Sequence, residues 1–151
     1  MKKLLLVATA FILPACASAA PPPVTTDVRH AYQAPFDAVW EATVQVFAEH
    51  NIPIENIEKD SGIISTDWAL VQKDDSDCGG TGMFYHRDRQ GQFNVFIHEV
   101  GNRAIEVQVN TQFRVSVYDL NGRYTGLKTC SSTGTIESAI QDGINARIET
   151  S

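Results

Sequence analysis

The sequence has little positive charge and no long hydrophobic run. It carries 12 lysine and arginine residues against 18 aspartate and glutamate residues, a formal net charge of −6 at pH 7. An acidic chain repels phosphate backbones, so nucleic acid is not an expected partner. A membrane-spanning helix needs about 20 consecutive apolar residues, and no stretch supplies them. Because a polybasic membrane-binding surface is not expected either, membrane attachment would require a covalent lipid or a protein partner.

The sequence also lacks the residue patterns of common catalytic and metal sites. Its four histidines are scattered, so no zinc site is expected. The glycines of residues 79–82 do not open a predicted helix, which argues against a phosphate cradle. Asp75 and Asp77 resemble the start of a calcium loop, but its twelfth position is His86 instead of glutamate. We therefore expect no enzyme activity, no catalytic residues, no metal and no cofactor.

The first residues have the pattern of an export signal. Lys2 and Lys3 provide a positive end, and residues 4–13 form an apolar segment too short to span a bilayer. The following "LPACASAA" allows two cleavage sites. A lipoprotein peptidase would cut before Cys16, which would then carry the lipid. A general signal peptidase would cut after residues 17–19 and release a soluble periplasmic protein.

The proline-rich segment "ASAAPPPVTT" favours the lipoprotein interpretation, because a tether has no evident purpose in a free domain. We predict a signal peptide over residues 1–15, a lipidated Cys16 with its tether over 16–26, and a single domain over 27–151. Ser18, two residues after the cysteine, is not the aspartate typical of inner-membrane retention. The expected location is therefore the periplasmic face of the outer membrane, with the lipid as its membrane contact.

Cys78 and Cys130 remain as a pair after either cleavage. In an oxidising, exported compartment such a pair is expected to form a disulfide. A redox or metal-binding pair would need CxxC spacing or neighbouring ligands, and the sequence has neither. The bond would close a loop of 52 residues.

Hydrophobic spacing predicts two amphipathic helices. The first begins at Pro35, since proline suits the first helical turn, and ends at Asn51 and Pro53. The second covers about Thr135 to Ile148, with Ser132 or Thr133 as its cap. Their apolar side chains recur at i, i+3, i+4 and i+7. They are Phe36, Val39, Trp40, Thr43, Val44 and Phe47 in the first helix, and Ile136, Ala139, Ile140, Gly143, Ile144 and Ile148 in the second.

Alternation of apolar and polar residues predicts the strands. The clearest strand runs from Arg103 to Tyr118, with one buried and one solvated face. The other predicted strands are Asp27–Tyr32, Ile54–Glu58, Gly62–Leu70, Gln92–Val100 and Tyr124–Thr129. Residues 72–82 are predicted to form a long loop, and Asn121-Gly122 a hairpin turn.

The turn between the two longest strands determines their register. A two-residue Gly101-Asn102 loop would place apolar residues opposite polar ones, so we predict a three-residue or bulged turn with Asn102 or Gly101 at positive φ. The predicted pairs are Ile97 with Ile105 and Val95 with Val107.

Together these elements predict an α+β two-layer sandwich, an antiparallel sheet of about five to six strands with two helices packed on one face. The solvated face of the longest strand then presents hydrogen-bonding side chains. They are Gln108, Asn110, Gln112 and Arg114. This face is either ordinary solvated sheet or a surface that binds a protein, and a free strand edge could also accept an added strand.

Residues 32–68, "YQAPFDAVWEATVQVFAEHNIPIENIEKDSGIISTDW", resemble the repeated unit of the BamC family of outer-membrane lipoproteins. The resemblance lies in a helix that begins at Pro35 and carries Trp40, an isoleucine-rich strand, and the "GIISTDW" that runs from Gly62 to Trp68. It implies a helix-grip-like α+β domain, an envelope location and a non-enzymatic accessory or scaffolding role. It supplies no catalytic residues.

Two functions are consistent with these features. The first is a lipid-anchored, periplasm-facing protein that contacts an unidentified envelope protein. The alternative is a soluble periplasmic protein that binds a small molecule between helix and sheet. Tight packing of Phe36, Trp40 and Phe47 against the sheet would argue against such a pocket.

Overall fold

A computed structural model describes residues 28–150 of the chain, so the predicted signal peptide, Cys16 and the tether lie outside the described residues. The described part folds into two helices and eight strands. The helices are α1 (Phe36–Glu49) and α2 (Thr135–Ile148). The strands are β1 (Val28–Tyr32), β2 (Ile54–Glu58), β3 (Ile63–Thr66), β4 (Ala69–Leu70), β5 (Ser76–Asp77), β6 (Tyr85–Val100), β7 (Ala104–Tyr118) and β8 (Tyr124–Ser132).

The strands form one antiparallel sheet in the order β2-β3-β6-β7-β8-β5, with β4 also paired to β6 and β1 also paired to β7. Both helices pack on one face, which confirms the predicted α+β sandwich. The sheet has more strands than the five to six expected. The predicted strand Gly62–Leu70 is divided into β3 and β4. The division occurs at Asp67, whose N–H donates to the carbonyl oxygen of Pro53 (3.0 Å). The other additional strand is β5, which forms inside the predicted loop of residues 72–82.

The long hairpin of β6 and β7 is the centre of the sheet. Its turn has three residues, Gly101–Arg103, with Asn102 at φ 65°, as predicted. The predicted pairing is wrong: Ile97 lies opposite Val107 instead of Ile105, and the neighbouring pair, Val95 with Val109, moves with it. The register differs by two residues because the turn starts at Gly101, whereas the predicted pairs require a three-residue turn that starts at Val100. Since the side-chain period of a strand is also two, the apolar faces still coincide.

The core lies between the helices and the inward face of the sheet. Alternate residues of β7 face the helices, and the helices contribute bulky side chains from their facing sides. The largest fully buried side chains include Phe47, Phe93, Phe113, Ile64, Ile97, Ile144, Val39, Val46, Val95, Val107 and Val109. The buried stripe of α1 is shifted from its predicted position, because Ala42 and Val46 are buried whereas Val44 is only partly so.

Gly143 allows the two helices to approach each other. A Cβ atom at this position would lie 2.9 Å from a methyl carbon of Val46, which is closer than van der Waals contact permits. The close approach is therefore between α2 and α1, since Val46 belongs to α1.

Gly62, in the turn that leads into β3, lies against the backbone of β6. It has φ +65°, and a Cβ atom there would lie 1.9 Å from the carbonyl oxygen of Ile97. The carbonyl oxygen of Gly62 accepts a hydrogen bond from the Ile97 N–H at 2.8 Å. A side chain would therefore separate the turn from β6, which explains why the Gly62-to-Trp68 segment begins with glycine.

We expect Gly62→Ala to destabilise the protein by more than the roughly 1–2 kcal/mol that a left-handed conformation costs an L-residue, since the clash adds to that cost. The measurement is urea unfolding followed by circular dichroism. Gly80→Ala is the matched control, because Gly80 has no heavy atom within 4 Å of its hypothetical Cβ and no positive φ. Equal urea midpoints for the two variants would contradict the close approach of Gly62 to the backbone of β6.

Candidate functional site: the helix-free face of the sheet

The four polar side chains singled out in the sequence lie together, as expected, on the sheet face that points away from both helices. Gln112 is exposed, and Gln108, Asn110 and Arg114 are partly buried by their neighbours. Strand β6 continues the amide row, because Gln92 pairs with Gln112, and Asn94 with Asn110. We call this surface the helix-free face.

Arg114 is held in place at the centre of the helix-free face. Its guanidinium carbon lies 3.8 Å from the centroid of the Trp68 ring, a cation–π contact. Its Nε donates a hydrogen bond to Oε1 of Gln90 at 2.9 Å. The guanidinium is therefore oriented before any partner arrives, with less side-chain entropy left to lose on binding. The place of Trp68 on this face was not predicted from the sequence.

The amides beside Arg114 are partly preorganised. Gln92 donates from Nε2 to the carbonyl oxygen of Thr66 at 3.1 Å, and Gln108 donates from Nε2 to Oδ1 of Asn110 at 3.3 Å. Each amide offers several donor and acceptor positions, and these contacts use only some of them. The face can therefore hydrogen-bond to a partner.

One end of the helix-free face is aromatic. Tyr118 on β7 lies between its strand partners Tyr85 on β6 and Tyr124 on β8. The rings of Tyr118 and Tyr124 meet edge to face with centroids 5.6 Å apart, and the Arg87 guanidinium lies 5.4 Å from the Tyr118 centroid. Tyr85 and Tyr124 are each about half exposed (51% and 52%), as is the adjacent Leu127 (54%).

The aromatic end was not predicted, because the predicted strand begins at Gln92, seven residues after the observed start at Tyr85. A bulge between Arg87 and Gln90, with Asp88 at φ 50°, interrupts the alternation there. A bulge inserts one extra residue and shifts the inward–outward pattern by one. The alternation of Tyr85 and Arg87 was the signal available on the far side of the bulge.

The space between the helices and the sheet is filled at its centre. Phe47 is fully buried and Trp40 nearly so, while Phe36 is partly buried and stacks on the Trp40 ring with centroids 6.0 Å apart. A partly open cavity of about 280 Å³ lies at one end of this interface. Its apolar lining includes Val46, Ile52, Val71, Phe93 and Ile140.

A polar cluster lies inside the same interface at the start of α2. Glu137 is fully buried, and its Oε1 accepts hydrogen bonds from the hydroxyls of Thr111 and Ser132, both at 2.5 Å. The cap prediction is wrong, because the N-cap residue is Gly134 at φ 84°. Ser132 instead accepts the Gly134 N–H and donates to Glu137. These hydrogen bonds attach Glu137 of α2 to Thr111 of β7 and Ser132 of β8, and so stabilise the packing of the helix on the sheet.

A second buried contact connects β1 to α2. The Tyr32 hydroxyl donates to the side-chain oxygen of Gln141, whose Nε2 donates to the carbonyl oxygen of Val107 at 3.1 Å. Burial raises the pKa of Tyr32 well above its usual value, and the negative charge of Asp142 adds to that shift. The phenol therefore stays protonated and remains a donor at any physiological pH.

The predicted disulfide is present. Cys78 and Cys130 are joined, with S–S 2.02 Å and Cα atoms 4.2 Å apart. The bond attaches the segment after β5 to strand β8. Within residues 28–150, no helix is long and apolar enough to cross a membrane, and no group of three or more histidine, cysteine or acidic side chains is arranged to hold a metal ion.

Comparison with known proteins adds no assignment: no protein-family model matches the chain, and no curated protein matches it. The fold defines the class, an α+β sandwich with one sheet face left open.

Proposed function

We propose that the protein is a lipid-anchored, periplasm-facing accessory protein of the outer membrane that binds an envelope protein through the helix-free face. The observation that carries this proposal is the concentration of tyrosine, tryptophan and arginine on that face. These residue types dominate the binding energy of protein interfaces. The role is non-enzymatic and uses no cofactor.

The composition of the helix-free face favours a protein partner over solvent alone. Tyr85 and Tyr124 offer large rings whose conformational freedom is small, so little entropy is lost when they are covered. Arg114 and the surrounding amides offer hydrogen bonds at the centre, where a partner would exclude water. An aromatic end beside a polar centre gives the partner both an apolar anchor and a means of orientation.

The exported location is supported by the disulfide, because such bonds persist in oxidising compartments and are rare in the cytosol. The resemblance of residues 32–68 to the BamC unit supports an accessory role at the outer membrane. The N-terminal signal and Cys16 supply the anchor in this proposal.

A small-molecule function would have to use the cavity of about 280 Å³ at the end of the helix–sheet interface. Ligand pockets in proteins usually measure about 300–1,000 Å³. The cavity is slightly below this range, and the centre of the interface is occupied by Phe47 and its neighbours. Protein binding is therefore the better supported function.

The lipid anchor is tested by metabolic labelling with radioactive palmitate. We expect label in the wild-type protein and in the outer-membrane fraction, and none in Cys16→Ala, which has no thiol at the acylation position. Equal label in Cys16→Ala, or none in the wild type, would contradict acylation at Cys16. The folded domain begins after both cleavage sites, so its thermal unfolding should be the same in either case.

Docking is tested by replacing Tyr85 and Tyr124 together with alanine in a tagged protein and recovering its partners from solubilised envelopes. Interface anchors of this kind typically contribute 2 kcal/mol or more, so we expect at least about 30-fold less of the bound partner. The matched control is Glu41→Ala with Gln45→Ala, two exposed positions on α1. Recovery of the bait alone, or equal recovery by both variants, would contradict docking through this face.

A further inference from the structure

We propose a second binding site, for a phosphate ester such as a lipid headgroup or a free glycerophosphate, in the open cavity between the glycine-rich segment of residues 79–82 and the end of the sheet. The cavity lies at the end of the sheet, where its lining includes His86 and Val115 as well as Tyr85 and Arg87 from the aromatic end of the helix-free face. Phosphate binding there is a different function from the proposed docking, and it is tested at Lys73 and Lys128, which are not part of the helix-free face. The walls of the cavity are formed by the glycine-rich segment, β6 and β7.

The cavity is an open space of about 720 Å³. Ligand-binding pockets usually measure about 300–1,000 Å³, so the volume of this cavity is sufficient for a headgroup-sized molecule. Its lining includes Lys73, His86, Arg87 and Arg89, with Asp88 as an acidic neighbour. The chain as a whole is acidic. Clustering of basic side chains around one cavity therefore departs from the average charge of the surface.

Lys128 on β8 adds a further positive charge. Its Nζ lies 3.5 Å from the position that a Cβ of Gly79 would occupy, and Gly79 lines the cavity. Lys128 and Cys130 are two residues apart on β8 and so point to the same side of the sheet. The disulfide to Cys78 therefore holds the glycine-rich segment over the ammonium group.

The four cations of this cluster, Lys73, Arg87, Arg89 and Lys128, form no ion pair with a carboxylate of residues 28–150; the ion pairs found there, such as Lys59–Asp37, lie elsewhere. Arg89 donates to Ser76, and Arg87 lies over Tyr118. His86 experiences the resulting field: burial lowers its pKa, and the charges of Lys128 and Arg89 lower it further. The cavity is therefore electropositive on balance, with Asp88 as the acidic side chain of its lining.

Arginine and lysine side chains are the usual ligands of phosphate, since they combine positive charge with several N–H donors. The rim of the cavity adds apolar surface. Phe84 and Leu120 line it, and the neighbouring Met83 is 71% exposed. A cationic cavity with an apolar rim matches a phosphate group attached to hydrocarbon.

The test uses the exported chain with Cys16→Ser, so that no acyl group of its own binds vesicles. Glycerol 3-phosphate is titrated while the four histidine ring signals are followed by NMR. Flotation with phosphatidylglycerol vesicles, and with phosphatidylcholine vesicles for comparison, tests the lipid source. We expect a shift of the His86 signal with the other three unchanged, or flotation with phosphatidylglycerol only. The first result identifies a soluble phosphate ester as sufficient, and the second a lipid headgroup.

The affected variant is Lys73→Gln with Lys128→Gln, which should weaken either interaction at least about tenfold because two charge-assisted hydrogen bonds are lost. The control is Lys59→Gln with Arg103→Gln, which removes the same charge from exposed turns elsewhere. Thermal unfolding checks that both variants fold. The proposal is overturned if neither probe binds, if the Lys73/Lys128 variant binds as well as the wild type, or if both variants lose binding equally.

Discussion

Removal of the Cys78–Cys130 bond, by Cys78→Ala together with Cys130→Ala, is expected to lower the free energy of unfolding by about 4 kcal/mol. The bond closes a loop of 52 residues, and such a loop restricts the unfolded chain far more than the folded one. Both cysteines are buried, so the variant also loses packed sulfur atoms. Because marginal domains have only about 5–15 kcal/mol in total, a loss of this size is a large part of their stability.

Urea unfolding measures this effect, and a reducing agent supplies the matched control. Reductant should destabilise the wild-type protein by a similar amount and leave the double alanine variant unchanged. Non-reducing mass spectrometry should find the two cysteine peptides joined. Two free thiols in the exported protein, or a wild-type midpoint insensitive to reduction, would contradict the assigned role of the bond.

Phe47→Ala is expected to cost about 3–5 kcal/mol, the usual range for deletion of a buried phenylalanine ring. Phe47 is fully buried between α1 and the sheet, so the surrounding side chains cannot relax enough to fill the space. Phe36, eleven residues earlier on the same helix, is only partly buried and packs at the edge of the core. Phe36→Ala should therefore cost clearly less.

The comparison of the two phenylalanine variants tests how well the helix–sheet interface is packed. Both free energies are measured by urea unfolding at one pH, with the slope of the transition checked for equality. Equal costs would mean that the core extends evenly along α1 or that Phe47 does not occupy a rigid environment. That result would also reopen the possibility of a ligand between the helix and the sheet.

Most of the fold could be predicted because hydrophobic period is a local signal. The periodicity of the first helix and the alternation along Arg103 to Tyr118 were sufficient to place α1 and β7, and hence the sandwich. The register of the β6–β7 hairpin could not be predicted as reliably. Loops that start at Val100 or at Gly101 both keep apolar residues on one face, and only the backbone conformation at Asn102 and Arg103 selects between them.

The candidate site was predictable only in part. Gln108, Asn110, Gln112 and Arg114 followed from alternation alone. The aromatic end did not, because it is assembled from residues of three strands whose neighbourhood depends on register and on the bulge before Gln90.

Glu137 was missed for a different reason. A carboxylate in the first turn of a helix is usually solvated and favours the helix dipole. Here the hydroxyls of Thr111 and Ser132 satisfy one carboxylate oxygen inside the core. Thr111 is distant in the sequence, so no local pattern in α2 could reveal the contact.

The clustering of charged side chains also depends on contacts between residues that are distant in the sequence. The sum over the chain is acidic and argues against anionic partners, yet the fold gathers Lys73, Arg87, Arg89 and Lys128 around one cavity. A net charge describes the long-range field of a protein and its solubility. Local recognition depends on which charges the topology makes neighbours.

A photo-crosslinking amino acid at Gln112, introduced in living cells, tests the docking function most directly. Gln112 is the exposed amide of the four and lies near Arg114, while the exposed Gln45 on α1 provides the matched control. We expect irradiation to give a discrete adduct with one envelope protein from position 112 and none from position 45, and the adduct to disappear with Tyr85→Ala and Tyr124→Ala. Adducts of equal yield from both positions, or from position 45 alone, would show that the helix-free face is not the docking surface.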